Sequence, residues 1–94
     1  MKSYMRYDDV CTILGNGDIG KGQILLRAIA ERLGHARHKH PHYADDKSEA
    51  VTVILAEFDE YAEAVDQEQG EDRERDELLD VIATAVRAYN QEWA

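Results

Sequence analysis

The chain has 94 residues, with 20 acidic residues against 11 Lys and Arg, and a formal net charge of −9 at pH 7. This length fits one small domain near the lower limit for an independent hydrophobic core, so we expect self-association. The acidic balance argues against a nucleic-acid partner, because such binding requires Lys and Arg to neutralise phosphates. One cysteine, no signal-peptide core and no membrane-length apolar run predict a cytoplasmic protein without a membrane partner.

The charges are unevenly distributed along the sequence. Residues 21–42 contain five Lys or Arg, four His and one acid, whereas residues 45–94 contain sixteen acids and four Lys or Arg. A basic segment followed by a strongly acidic one predicts a site that binds a metal and an anion together.

The glycine-rich stretch "ILGNGDIGKG", residues 13–22, matches both GxGxxG and GxxxxGK. Both phosphate-binding motifs require a parallel strand before the glycines and a helix after them. The segment "DVCTIL" could supply one strand, but no later segment could pair with it. Gly22 also lacks the hydroxyl group that would bind Mg²⁺ in a phosphate loop. The interpretation we favour is a flexible turn before the first helix.

Three segments have helical periodicity, at about residues 22–37, 46–69 and 71–93. We expect the second to bury one apolar face and the third another; these faces are Val51, Ile54, Leu55, Phe58, Tyr61, Ala62 and Val65, and Leu78, Val81, Ile82, Ala85, Val86, Tyr89 and Trp93. The prediction is an all-α helical bundle, with about three helices per chain, completed by oligomerisation. Residues 1–94 would form a single domain, with an N-terminal arm over 1–20 and a helical core over 21–94.

Two acidic pairs lie on the second and third predicted helices. Glu57 and Glu60 are about 60° apart around one helix, as are Glu77 and Asp80 around the other, and each pair borders the apolar face. If the helices pack together, four carboxylates converge and repel each other unless they are protonated or a cation neutralises them. Mg²⁺ or Mn²⁺ suits such oxygen ligands. The alternative is an ordinary solvated surface, because a chain with 20 acids contains such spacings by chance.

The segment "RHKHPH" offers cations for a bound phosphate chain. Arg37 and Lys39 are the candidate substrate contacts. His38, His40 and His42 alternate around Pro41, which leaves open either a site for a soft metal or an exposed loop.

The pattern E57-F-D-E60, a linker, E77-L-L-D80-V-I and then Asn90 resembles the E-x-x-E…E-x-x-D signature of the MazG-like, all-α nucleoside triphosphate pyrophosphohydrolases. The resemblance covers about residues 37–93. It implies a homodimer or homotetramer that binds Mg²⁺ through Glu57, Glu60, Glu77 and Asp80, with Asn90 contacting the base or sugar. It also implies cleavage of a (deoxy)nucleoside triphosphate between the α and β phosphates. Ala56 stands where family members commonly carry an additional acid.

The leading functional hypothesis is therefore a Mg²⁺-dependent pyrophosphohydrolase that yields a nucleoside monophosphate and pyrophosphate. Glu57 or Glu60 is the candidate catalytic base, since a glutamate that is not fully used as a ligand could accept the proton of an attacking water. One alternative is a non-catalytic helical protein that uses the same scaffold for oligomerisation or partner binding. A third hypothesis, an acidic mimic that binds a basic partner, rests on the net charge alone.

Overall fold

The computed structural model describes residues 4–93, and all the regular secondary structure in this range is helical. The helices are α1 (Tyr7–Leu14), α2 (Ile19–Lys39), α3 (Lys47–Asp66) and α4 (Glu71–Tyr89). The predicted all-α fold is thus confirmed, and α2, α3 and α4 correspond to the three predicted helices. Among residues 4–93, none of the helices combines the length and apolar character that crossing a bilayer requires.

The chain divides into two compact units, one ending at Glu31 and the other beginning at Arg32. The boundary lies within α2, so the last two turns of this helix belong to the second unit together with α3 and α4. Both predicted acidic pairs lie in the second unit.

The glycine-rich stretch in the first unit spans the end of α1, the turn at residues 15–18 and the start of α2. "DVCTIL" lies in α1 and is helical, so the strand that either phosphate-binding motif requires is absent here. Gly17 has a φ of +93°, which a side chain would disfavour, and a Cβ atom on Gly22 would lie 1.7 Å from the carbonyl oxygen of Cys11. Two of these glycines are therefore explained by a tight turn and a close helix contact, in agreement with the predicted turn.

In the second unit, α3 and α4 pack against each other as a helical hairpin. The side chain of Asp46 accepts a hydrogen bond of 2.8 Å from the backbone N–H of Glu49, and the Glu49 carboxylate accepts one of 3.2 Å from the N–H of Asp45. This reciprocal arrangement fixes the start of α3. Gly70, with a φ of +100°, precedes α4 at the end of the short connection.

The contact between α3 and α4 is lined by small and polar side chains at intervals of seven residues. These are Ala50, Glu57 and Ala64 on α3, and Glu77 and Thr84 on α4. An interval of seven keeps residues on one helix face, and alanine allows the two helices to approach closely. The structure therefore places Glu57 and Glu77 within the helix contact, whereas the sequence predicted them at the border between the core and solvent.

The predicted apolar faces are only partly correct. Several members are exposed in this chain, and the others are partly buried. The exposed ones are Val51, Leu55, Phe58, Ala62, Val65, Ala85 and Tyr89. The physical reason is a rotation of the helices, because bringing the alanines and the carboxylates into the contact turns the larger apolar side chains toward its flanks.

The segment between α2 and α3 is attached to α4 by a buried tyrosine. The Tyr43 hydroxyl donates a hydrogen bond of 3.0 Å to the carbonyl oxygen of Thr84 and lies 2.5 Å from the hydroxyl of Thr84. The Arg87 guanidinium stacks on the Tyr43 ring, 4.8 Å from its centroid. Tyr43, Ala44 and Ala50 form the buried apolar cluster, and Trp93 packs against it.

Candidate functional site

Three of the four predicted metal ligands come together in the α3–α4 contact. Glu57, Glu60 and Glu77 each offer a carboxylate oxygen, and these oxygens lie within 4.8 Å of one another. Glu60 is exposed, Glu57 is partly buried and Glu77 is buried. The cluster therefore extends from the protein surface into the helix contact, with ligand atoms close enough to share one cation.

Glu77 is the innermost member of the cluster and is only partly neutralised. Its Oε1 atom forms an ion pair with Nη2 of Arg73, at 2.6 Å, and Arg73 lies one turn earlier on α4. Its Oε2 atom is buried and has no hydrogen-bond partner among residues 4–93, and Glu77 as a whole is 5% exposed. A buried carboxylate oxygen without a partner is costly, and a bound cation is one of the few groups that would satisfy it.

Glu57 lies in an environment that disfavours its charged form. Partial burial, followed by the negative charges of Glu60, Asp80 and Glu77 and a hydrogen bond with Glu60, raises the pKa of Glu57 to about 7. A carboxyl group of this kind is partly protonated at neutral pH. The same environment favours cation binding, because a cation would remove the repulsion that raises the pKa.

Asp80, the fourth predicted ligand, is bound by an arginine of α2. Nη1 of Arg32 donates a hydrogen bond of 2.6 Å to Oδ1 of Asp80 and another of 3.1 Å to the backbone carbonyl of Asp76. Nη2 of Arg32 forms an ion pair with the Asp76 carboxylate. Asp80 is nevertheless close enough to Glu57 for its charge to contribute to the raised pKa of that residue.

A cavity of about 780 Å³ lies beside the acidic cluster, within the second unit. Its lining has an acidic part and a basic part. The acids are Glu57, Glu60, Asp76 and Asp80, and the residues with basic side chains are Arg32, His35, Lys39, His40, His42 and Arg87. A cavity with both kinds of lining suits a ligand that is itself an anion and is bound together with a cation.

No family model, curated protein or solved structure matches this chain.

The oxygen-only donor set and the unpartnered Glu77 oxygen fit a hard divalent cation such as Mg²⁺. The fit has one notable feature, which is that two of the four predicted ligands already contact an arginine. Arg73 contacts Glu77 and Arg32 contacts Asp80. The ligand set is thus partly neutralised by the chain's own cations.

The three predicted substrate contacts occupy different surroundings. Lys39, the last residue of α2, lines the cavity. Arg37 forms an ion pair of 2.6 Å with Glu92 and does not line the cavity. Asn90 is exposed at the C-terminal cap of α4 and does not line it either. Of the three, Lys39 is the one that the structure brings beside the carboxylates.

The sequence-based candidates do not include four charged or titratable lining residues, which are Arg32, His35, Asp76 and Arg87. Arg32 and His35 share one face of α2 with Lys39, at spacings of three and four residues, and this pattern is readable from the sequence. The pattern is less conspicuous than "RHKHPH", which concentrates its charges further along the chain. The contacts of Arg32 with Asp76 and Asp80 could not have been foreseen from spacing, since they join residues 44 and 48 positions apart.

Proposed function

We propose that this protein is a Mg²⁺-dependent nucleoside triphosphate pyrophosphohydrolase that cleaves a (deoxy)nucleoside triphosphate into the monophosphate and pyrophosphate. The observation that carries the proposal is the buried, unpartnered oxygen of Glu77 within a group of three converging carboxylates. An acidic surface without function would place such groups in water. The motif resemblance supplies the reaction, and the basic part of the cavity supports an anionic substrate.

In this proposal, Glu57, Glu60, Glu77 and Asp80 hold Mg²⁺. When bound, the cation supplies charge neutralisation at the phosphates and acidifies a coordinated water. Lys39 and His35 lie on the cavity wall formed by α2, where they contact the phosphate chain and offset its negative charge.

Glu57 is the residue we assign as general base. Its carboxylate lines the cavity, and a glutamate that is not fully used as a ligand could accept the proton of an attacking water. The water oxygen forms a bond to the α-phosphorus, and the bond from this phosphorus to the α–β bridging oxygen breaks. The water proton passes to Glu57, and the bridging oxygen leaves with the pyrophosphate.

The experiment is a panel of ribonucleoside and deoxyribonucleoside triphosphates, assayed for pyrophosphate release with Mg²⁺. Glu60→Gln and Asp80→Asn should each lower turnover at least 100-fold while retaining the helical circular dichroism spectrum. Asp59→Asn is the matched control, because it removes an exposed acid of α3 next to Glu60. Absence of pyrophosphate release from every substrate would refute the activity.

The second candidate function is a non-catalytic helical protein that oligomerises or binds a partner. The exposed apolar side chains Val51, Leu55, Phe58 and Val65 favour it, because they offer α3 an apolar surface to cover. The two candidates share an expected homodimer or homotetramer in the cytoplasm. They differ in their response to Mg²⁺. The enzyme should release pyrophosphate and gain stability from Mg²⁺, and Glu60→Gln should reduce both effects. A non-catalytic protein should show neither effect, and Glu60→Gln should only relieve repulsion between like charges.

A further inference from the structure

Arg32 occupies a position that the proposed cation site does not explain. Its side chain is 22% exposed, lines the cavity and bridges two aspartates that lie one turn apart on α4. One of these, Asp80, belongs to the proposed ligand set. The other, Asp76, does not. The Arg32 guanidinium can therefore release Asp80 to a cation while it keeps its contact with Asp76.

We propose that Arg32 is an exchangeable counter-ion, which neutralises Asp80 when the divalent cation is absent and contacts the phosphate groups of the ligand when Asp80 binds the cation. This inference rests on the function proposed above.

Arg32 and a divalent cation would compete for Asp80. The Arg32 guanidinium contacts Oδ1 of Asp80 at 2.6 Å, a short charge-assisted hydrogen bond. Coordination of a cation by Asp80 weakens this contact, because the carboxylate charge is then shared between two cations that repel each other. Cation binding in the absence of an anion therefore includes the cost of displacing Arg32.

The displaced guanidinium can bind a phosphate in the same cavity. Arg32, His35 and Lys39 form one stripe on α2 that lines the same cavity as the carboxylates of Glu57, Glu60 and Asp80. A phosphate in this cavity would lie between the stripe and the cation. The planar guanidinium suits bidentate contacts with phosphate oxygens, and Asp76 would still hold its other edge. Arg32 thus exchanges one anionic partner for another.

The consequence is coupling between cation and phosphate binding. The cation alone competes with Arg32, whereas the cation with a phosphate ligand restores a partner to it, so each ligand favours the other. The arginine would also keep the cluster neutralised in the ion-free protein.

The test measures binding and does not depend on turnover. Affinity for Mn²⁺ alone is measured by electron paramagnetic resonance, and affinity for the preformed Mg²⁺–methylenediphosphonate complex by calorimetry. Arg32→Gln should bind Mn²⁺ at least fivefold more tightly than the wild type and the diphosphonate complex at least tenfold more weakly. Arg32→Lys retains the charge but cannot span both aspartates, so it should shift both affinities in the same directions by smaller factors.

Arg75→Gln is the matched control, because it removes the same charge from an exposed position on α4. It should change either affinity less than twofold. Equal gains in Mn²⁺ affinity for Arg32→Gln and Arg75→Gln would indicate a general charge effect and overturn the inference. Unchanged or weaker Mn²⁺ binding by a folded Arg32→Gln or Arg32→Lys protein would also overturn it.

The outcomes separate this inference from the proposed activity. If neither the wild type nor any variant binds Mn²⁺, the cation site and the role of Arg32 are both refuted. If the Mn²⁺ and diphosphonate affinities shift as expected but no nucleotide releases pyrophosphate, the activity is refuted and the exchange by Arg32 stands.

Discussion

Replacing Glu57 with glutamine should make the ion-free protein more stable at alkaline pH. The folded protein raises the pKa of Glu57 from 4.5 to about 7, and burial is the largest cause. Because the folded-state pKa is the higher one, the unfolded chain loses this proton first as the pH rises. The contribution to stability is therefore fully present below pH 4.5 and is lost as the pH rises through 7.

The size of this effect follows from the pKa change. Such a change corresponds to roughly 3 kcal/mol at about 1.4 kcal/mol per pKa unit. Glu57 is only partly buried, so solvent screening reduces the expected effect to about 1–2 kcal/mol. Glutamine has no charge to bury, and the Glu57→Gln protein should exceed the wild type by that amount at pH 8. Below pH 4.5 the two proteins should be nearly equal in stability.

Urea unfolding in EDTA at a series of pH values from 4 to 8 measures this difference. The wild type should lose stability between pH 4.5 and 7, and Glu57→Gln should lose clearly less. Asp59→Asn serves as the control and should follow the wild type, because it changes an exposed neighbour on the same helix. A Glu57→Gln curve parallel to that of the wild type would refute the reasoning. Added Mg²⁺ should raise the stability of the wild type at pH 8 and should have much less effect on Glu57→Gln.

Four other substitutions test the framework around the site. Gly22→Ala should destabilise the protein by about 2 kcal/mol or more, since its Cβ would lie 1.7 Å from a backbone oxygen of α1. Gly34→Ala lies in the same helix with open space around it and should stabilise the protein by up to ~1 kcal/mol. Thermal unfolding compares the two variants. Tyr43→Phe should cost about 1–2 kcal/mol in urea unfolding, because it removes the buried hydroxyl contact with Thr84. Hydrogen bonds from two arginines, with Arg37 the larger cause, lower the pKa of Glu92 to about 2. The contribution of Glu92 to the free energy of unfolding is therefore present above pH 4.5 and is lost as the pH falls toward 2. In acid unfolding, the Glu92→Gln protein should lose less stability than the wild type.

The positions of α2, α3 and α4 could be predicted from the sequence because local patterns determine them, whereas α1 lies in the segment predicted only as an N-terminal arm. Asp46 with Glu49 marks the start of α3, and Gly70 marks the connection before α4. The spacing of three residues between Glu57 and Glu60 is also local. The approximate meeting of the acidic pairs followed from these features together with the assumption that neighbouring helices pack.

The rotation of the helices could not be predicted in this way. Periodicity ranks faces by apolar character, and on that basis Leu55 and Phe58 should face α4. The contact instead uses Ala50 and Ala64, whose small size allows close packing that an apolarity scale undervalues. For the same reason the burial of Glu77 was missed, because its depth depends on which face the partner helix covers.

Placing charged groups inside a helix contact sets two selective demands on the same few positions. A leucine in place of Glu77 would make the contact between α3 and α4 more stable, yet it would remove the most deeply buried cation ligand that we propose. Variants selected for heat resistance alone should therefore drift toward apolar residues at this depth and lose their affinity for the ion. If Glu77 is retained in such a selection when the ion is supplied, despite its cost to stability, this would indicate that the residue is needed for cation binding.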